Sequence, residues 1–297
     1  MILNSNPYFS IVIPTYNRAN LIGKTLDSIL LQRFTDFEVI VVDDGSRDNT
    51  QDVVKGYSDS RIRYYKKENG ERGAARNYGR KLANGNYINF FDSDDLMYPN
   101  HLQVARAMTD QWRNPELFYL GYDFKNGDGV VTEQVNTLND QSYRQAMFDN
   151  FLSCNGVFLR KDIADAYPFE EDRKLASAED WELWIRLMSR YPLRYSNEIT
   201  TSVINHDQRS LRTIATEKIV LRDEFLIENL RRDVEVLNAF GSTFAKFVSQ
   251  RYTFFMLCCA EDKNRGEVFR WAMRAARIYP LAIFSKRFVA SIKKTIL

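Results

Sequence analysis

Three short apolar runs, each ended by polar or acidic residues, constrain this chain more than any other feature. Ser10–Pro14 (SIVIP), Phe37–Val42 (FEVIVV) and Tyr87–Phe91 (YINFF) are rich in β-branched and aromatic residues and show little polar alternation. Such runs suit strands buried on both faces, as in a parallel sheet covered by helices. Helical patterns stand between them: Leu21, Ile22, Leu26, Ile29 and Leu30; a short segment Asp48–Lys55; and GERGAARNYGRKLANG, residues 70–85, which stops at Gly85. Arg61–Tyr65 reads as a further strand. Strand and helix alternate, so the first hundred residues are expected to form a doubly wound α/β unit. Its ligand crevice would lie at the carboxyl ends of the strands.

The unusual residues gather at those ends. Thr15, Tyr16 and Asn17 follow the first run, Asp43 and Asp44 the second, and Asp92, Ser93, Asp94 and Asp95 the last. Burying even one unpaired carboxylate costs several kcal/mol, so the acid cluster needs a cation, hydrogen-bond donors or water. Asp95 reads as a cap for the helix after Pro99. Neither GxGxxG after the first strand nor GxxxxGK[ST] anywhere is present, which argues against a dinucleotide fingerprint or a P-loop. A nucleotide bound here would be held by acids and an aromatic ring. Asp44 could accept from a nucleobase imide N–H or ribose hydroxyls, Tyr16 could stack, and Arg76 could meet a diphosphate. Each also fits a plainer role: a turn before Gly45, a half-buried packing residue, a solvated helix face.

Composition narrows the class. With 297 residues, 44% hydrophobic and 27% charged, the chain has the balance of an ordinary soluble globular protein. Cys154 and the adjacent Cys258 and Cys259 lack CxxC or zinc-site spacing, so reduced cytosolic thiols are expected. The start MILNSNPYFS is no signal peptide, and no apolar run approaches a membrane span. A cytoplasmic protein is therefore expected, without a nucleic-acid partner. The net charge of +2 conceals an asymmetry. From Val268 onward stand Arg270, Arg274, Arg277, Lys286, Arg287, Lys293 and Lys294 with no acid, whereas the preceding part carries 34 basic and 39 acidic residues. Treated as one helix from Leu281, the tail places Phe284, Phe288, Val289, Ile292 and Ile296 opposite its lysines and Arg287. That pattern suits a helix lying in an anionic leaflet, which makes residues 268–297 a candidate for peripheral attachment to the inner membrane. Packing on the preceding part of the chain with a solvated basic side is the alternative.

SIVIPTYNR, VIVVDDGSRDNT, GAARNYG, NYINFFDSDD with its following proline, and SAEDWELWIRL at 177–187 occur in order over about residues 8–210. Together these motifs resemble the family 2 glycosyltransferases. The resemblance implies a GT-A fold: a doubly wound mixed α/β sheet at 1–215, with a donor half about 1–100 and an acceptor half about 100–215. A helical extension with a basic amphipathic tail would then occupy 216–297. It implies an inverting, metal-dependent transferase that moves a sugar from a nucleotide-sugar donor, best taken as a UDP-sugar, to a glycan or lipid-linked acceptor in surface polysaccharide synthesis. The acid cluster becomes the DxD motif that holds Mg²⁺ or Mn²⁺ on the donor diphosphate, with Asp94 as main ligand and Asp92 near the ribose or the metal. Thr15, Tyr16, Asp44, Arg76 and Ser93 fall at donor-binding positions. Asp180 falls on the catalytic base of the ED motif, with Glu179 as an acceptor-orienting or helix-capping neighbour and Arg186 in a structural ion pair. His206, after the strand-like ITTSVI, could complete the metal shell, whereas His101 reads as a surface residue at a helix start. The turn YPFEED, 167–172, lacks the glycine many relatives carry, and 115–150 matches nothing usable. A sugar-nucleotide pyrophosphorylase or a non-catalytic nucleotide-sugar binder are the competing readings. The first lacks its glycine-rich activating loop; the second would need no base.

Overall fold

The computed structural model describes residues 6–135, 138–139, 142–205 and 215–296. The chain divides into two compact units: Met1–Gln141 with Phe151–Arg209, and Ser142–Asn150 with Ser210–Leu297. His206 lies outside the described residues.

The first unit is built on a mixed sheet. In chain order its strands are β1 (Phe9–Thr15), β2 (Phe37–Asp43), β3 (Ile62–Lys66), β4 (Tyr87–Phe90), β5 (Leu96–Met97), β6 (Leu117–Lys125), β7 (Val131–Val135), β8 (Val157–Arg160) and β9 (Arg194–Ile204). Among the described residues the sheet runs β3-β2-β1-β4-β8-β6-β9-β5, with β7 beside β6. β1, β2, β3 and β4 are parallel, and β8 pairs antiparallel with β4. The register sets Thr15 beside Asp43 and Val12 beside Phe90, so the three apolar runs deliver their polar ends to one edge. β1, β2 and β4 are buried throughout, as their predominantly apolar sequences require.

Helix Glu71–Leu82 lies against β1 and β2, and its glycines set how closely. A Cβ on Gly79 would stand 2.4 Å from Val12 Cγ1, and one on Gly73 would stand 2.4 Å from the Glu170 carbonyl oxygen. His101, expected at the surface, is instead fully buried. Its Nδ1 is 2.8 Å from Thr200 Oγ1 and its ring lies near Phe91 and Phe158. Burial pushes its pKa down to about 3, so the imidazole is neutral. The expectation failed because one polar atom on a ring is met by a single hydroxyl from β9, a partner 99 residues away.

The second unit is helical. Its longer elements are Thr216–Arg232, Ser242–Glu261 and Arg265–Ile278. Trp271 is its central buried ring, against Tyr252 and Phe255 at 5.2 and 4.9 Å. Asp223 is buried there too and is held by Arg222 and Arg251. The single tail helix expected from Leu281 is broken. Pro280–Phe284 forms a 3₁₀ turn, Ser285 is extended (φ −71°, ψ 142°), and Lys286–Ile296 forms a new helix. The Ser285 hydroxyl accepts from Phe288 N at 3.2 Å, the bond of an N-cap. That cap restarts the helical phase, so Leu281 and Phe284 leave the wheel drawn from Leu281, while the phases within Lys286–Ile296 stand.

The close seat of Gly79 predicts a stability cost. Gly79→Ala gains about 1 kcal/mol of helix propensity, but its methyl meets a β-branched, fully buried Val12. Overpacking of this kind costs about 1–3 kcal/mol. Urea unfolding should show net destabilisation for Gly79→Ala, whereas Gly127→Ala, with nothing within 4 Å, should stay within about 0.5 kcal/mol of the parent.

Candidate active site

The loops after β1 and β2 are stitched into one surface. Asp44 N donates to the Thr15 carbonyl (2.8 Å), Asn17 N to Ser46 Oγ (2.8 Å), Arg47 N to Asn17 Oδ1 (2.8 Å) and Arg18 N to Thr50 Oγ1 (2.9 Å). Asn17 sits at φ 51°, the left-handed region that asparagine tolerates better than most residues. Asp43 is wholly internal, taking Ser46 N and the Tyr64 hydroxyl. Asp44 accepts from Lys67 Nζ (2.7 Å) and Gly70 N (2.9 Å), and Asn69 Nδ2 donates to its carbonyl. Asp44 thereby anchors the turn that begins helix Glu71–Leu82. Tyr16 stands exposed at the edge rather than packed, and buried Thr15 Oγ1 has no hydrogen-bond partner among the described residues.

The acid loop after β4 has an internal and an external side. Asp95 is not the helix cap expected from sequence. It is buried, Oδ1 accepting from Ile204 N (2.9 Å) and Oδ2 from Asn155 Nδ2 (2.7 Å). Burial, with Asp92 and Asp94 nearby, holds its pKa well above the usual carboxylate range. Asn155 Oδ1 in turn accepts from Asp92 N at 2.9 Å, so one amide clamps both ends of the tetrad. Asn89, the lone polar residue within β4, donates to the Asn155 and Val157 carbonyls and holds that segment in place. Asp92 and Asp94 keep partial exposure; Asp94 lies 3.4 Å from Arg18 Nε. Ser93 is buried between them.

Arg76 joins this loop to the ED segment. Its guanidinium is 2% exposed, with Nη2 3.0 Å from Asp92 Oδ1 and Nη1 2.7 Å from Glu179 Oε1. A solvated helix face is therefore not what it provides. Glu179 and Asp180 open helix Glu179–Met188, which is fixed by buried Trp181 and Trp184; Trp184 Nε1 donates to the Leu152 carbonyl. Arg186 pairs with Glu182 at 2.8 Å, as expected. Ser177, just before the helix, takes φ 70°, a left-handed turn that costs a serine about 1–2 kcal/mol. Asp180 Oδ2 lies 3.9 Å from Cys154 Sγ. Desolvation, reinforced by the Glu179 charge and opposed by Arg76, pushes the Asp180 pKa up to about 6.

Thr15, Tyr16, Asp44, Arg76, Asp92, Ser93, Asp94, Glu179 and Asp180 thus all belong to the first unit, and the last links to the acid loop run through Arg76. Sequence reasoning missed Asn155, Lys67, Arg18 and Cys154. Only Asn89, a polar break in an apolar run, signalled that something polar must stand opposite. The carboxylates of Asp92 and Asp94 are hard oxygen donors suited to Mg²⁺ or Mn²⁺. No cluster of three or more metal-ligating side chains occurs among the described residues, so a cation here would draw further ligands from phosphate and water.

The model for "Glycosyl transferase family 2" matches residues 10–147, which contain β1 from Ser10 onward, β2, β4 and the acid loop. The Escherichia coli protein named UDP-Glc:alpha-D-GlcNAc-diphosphoundecaprenol beta-1,3-glucosyltransferase WfgD is 31% identical over 180 residues, 60% of this chain and 69% of that protein. The chain belongs to glycosyl transferase family 2. An uncharacterized glycosyltransferase of Rickettsia felis is 30% identical over 235 residues, 75% of this chain, and this member spans 38% of that relative's length. Among solved structures, S. aureus TarS in complex with UDP-GlcNAc superposes with a TM-score of 0.71 at 22% identity, covering 97% of this chain and 88% of that one. The fold is GT-A, with a helical C-terminal region.

Arg76→Met should leave Glu179 buried beside no cation and cost about 3–5 kcal/mol. Arg76→Met with Glu179→Gln should recover part of that loss in the same denaturation assay, because the stranded charge is then gone.

Proposed function

We propose that this family 2 member is an inverting glycosyltransferase that moves a sugar from a nucleotide-diphosphate donor, a UDP-sugar, to a hydroxyl of a glycan or lipid-linked acceptor. The observation that carries the reading is the meeting, around one buried arginine, of the acid loop and a carboxylate whose pKa lies near 6. The UDP-sugars printed in the names of WfgD and of the TarS complex support the donor, and the diphosphoundecaprenol in WfgD's name supports a lipid-linked acceptor.

Asp44 would accept from the nucleobase or ribose, and Tyr16 would offer its exposed ring for stacking. Thr15 and Ser93 line the same donor side. Asp94, with Asp92, would hold a divalent cation; when bound, it supplies neutralisation of the charge that develops on the departing diphosphate. His206 is assigned to the same cation by the family pattern alone. Arg76 acts on the donor through Asp92, whose carboxylate it orients. Glu179 balances the Arg76 charge and anchors the helix that presents Asp180. Asp180, as general base, takes the proton of the acceptor hydroxyl while that oxygen attacks the anomeric carbon opposite the diphosphate. A single displacement of this kind inverts the configuration. A lipid-linked acceptor would bring the protein to the cytoplasmic face of a membrane as a peripheral protein.

Two outcomes test this. Asp180→Asn should leave UDP binding, read by calorimetry, unchanged while turnover falls by roughly 10² to 10⁴. The base works only when ionised, so turnover should rise with pH through about 6 in the parent, and that limb should vanish in Asp180→Asn. Equal losses of binding and turnover would move Asp180 into the donor site. Separately, UDP with Mn²⁺ should raise the melting temperature more than GDP, CDP or ADP with Mn²⁺, and Asp94→Asn should remove the Mn²⁺-dependent part. Full activity in EDTA would sink the metal role.

A further inference from the structure

The second unit carries a surface that sugar transfer does not use. Fifteen large apolar side chains are exposed among the described residues, and seven of them fall between residues 269 and 296, a tenth of the chain. Phe269 and Met273, four apart, share one face of helix Arg265–Ile278; Met273 is 70% exposed. Leu281 and Phe284 rim an open cleft of about 260 Å³ walled also by Lys246, Thr253 and Tyr279, and Phe284 is 77% exposed.

The last helix shows the same preference in a sharper form. In Lys286–Ile296 the buried residues are Ser291 and Thr295, whose hydroxyls donate to the carbonyls of Arg287 (2.8 Å) and Ser291 (2.7 Å). Val289 and Ile296, seven apart and so on one face, point outward instead. Phe288 and Ile292, in phase with Ser291 and Thr295, are half-buried, so the helix covers its unit with part of its apolar surface and leaves Val289 and Ile296 to water. Some bases of this helix and of Arg265–Ile278 are also available. Arg270, Arg274 and Lys294 are met by Glu267, Glu224 and Glu261, but Arg277, Lys286 and Lys293 make no ion pair among the described residues.

Large apolar side chains in water beside unpaired cations require an occupant that is apolar and anionic at once. A second copy of the chain would bring the same positive charge to the same face and be repelled. Among the described residues no helix is long and apolar enough to cross a membrane, so a surface contact is what the geometry allows. We propose that this face docks on an anionic bilayer, with Leu281 and Phe284 entering among the lipid chains and Lys286, Lys293 and Arg277 meeting lipid phosphates. The proposal deepens the reading of a lipid-linked acceptor and rests on it for its purpose.

The test uses the full chain with vesicles of phosphatidylcholine alone or mixed with phosphatidylglycerol, read by co-sedimentation at low and high salt. The chain should sediment with the anionic vesicles and be largely released at high salt. Leu281→Ser with Phe284→Ser, and separately Lys286→Gln with Lys293→Gln, should each weaken binding by about tenfold, since each removes two surface contacts. All four positions are exposed, so circular dichroism and melting should match the parent. No sedimentation with anionic vesicles, or binding unchanged by both pairs, would overturn the proposal. So would a concentration-dependent dimer in light scattering that Leu281→Ser with Phe284→Ser abolishes, since a second copy would then be the occupant. Hydrolysis of UDP-sugar in solution, measured on the same samples, should be equal in parent and variants. Its absence in the parent counts against the transferase reading and leaves vesicle binding to stand or fall separately.

Discussion

The buried guanidinium of Arg76 is the constraint on which the first unit turns. An arginine at 2% exposure is tolerable only with its charge answered, and the two carboxylates that answer it come from segments 16 and 103 residues away. Both must therefore be brought to the same helix. Gly79 lets that helix settle on Val12 and Val42, and Gly73 lets the chain around Glu170 pass close above it. Asn77 continues the seam, donating to the Phe169 carbonyl and accepting from Phe169 N. This one helix ties the acid loop to the ED segment.

The charges are graded outward from that point. Asp95 is internal and Glu179 is buried with Oε1 held by the arginine, while Asp92 and Asp94 keep access to water. Asp180 falls between these extremes. Arg76 favours its ionised form, but desolvation and the neighbouring Glu179 outweigh it, so its pKa is pushed up to about 6. Position along the two short acidic stretches says nothing of this ordering; depth and donors decide it.

The sequence was legible where burial acts through local composition. The runs at Ser10, Phe37 and Tyr87 appear as β1, β2 and β4 to within a residue at most ends, and the segment from Gly70 appears as helix Glu71–Leu82. The clustering of polar residues at the strand ends was legible for the same reason. What could not be read were features set by distant partners. β6 and β8 are strands whose pairing, antiparallel to one another, is fixed only by the sheet. Asp95 looked like a cap because its true donors, Asn155 and Ile204, lie 60 and 109 residues on. His101 and the break at Ser285 each turned on one hydroxyl bond.

The sheet changes direction at β4, which has parallel β1 on one side and antiparallel β8 on the other. Because β8 runs backwards, the residues that reach the acid loop are those before it, Ser153–Gly156, and not those after it. In a wholly parallel sheet that wall would be a loop leading into a helix, constrained by the crossover that follows. Here it is an incoming approach to a strand, anchored at Asn155 and unconstrained by any return connection. The chain upstream of Ser153 can therefore be longer or differently cut while the acid loop keeps its frame, so this wall of the crevice can vary in shape without a change of register.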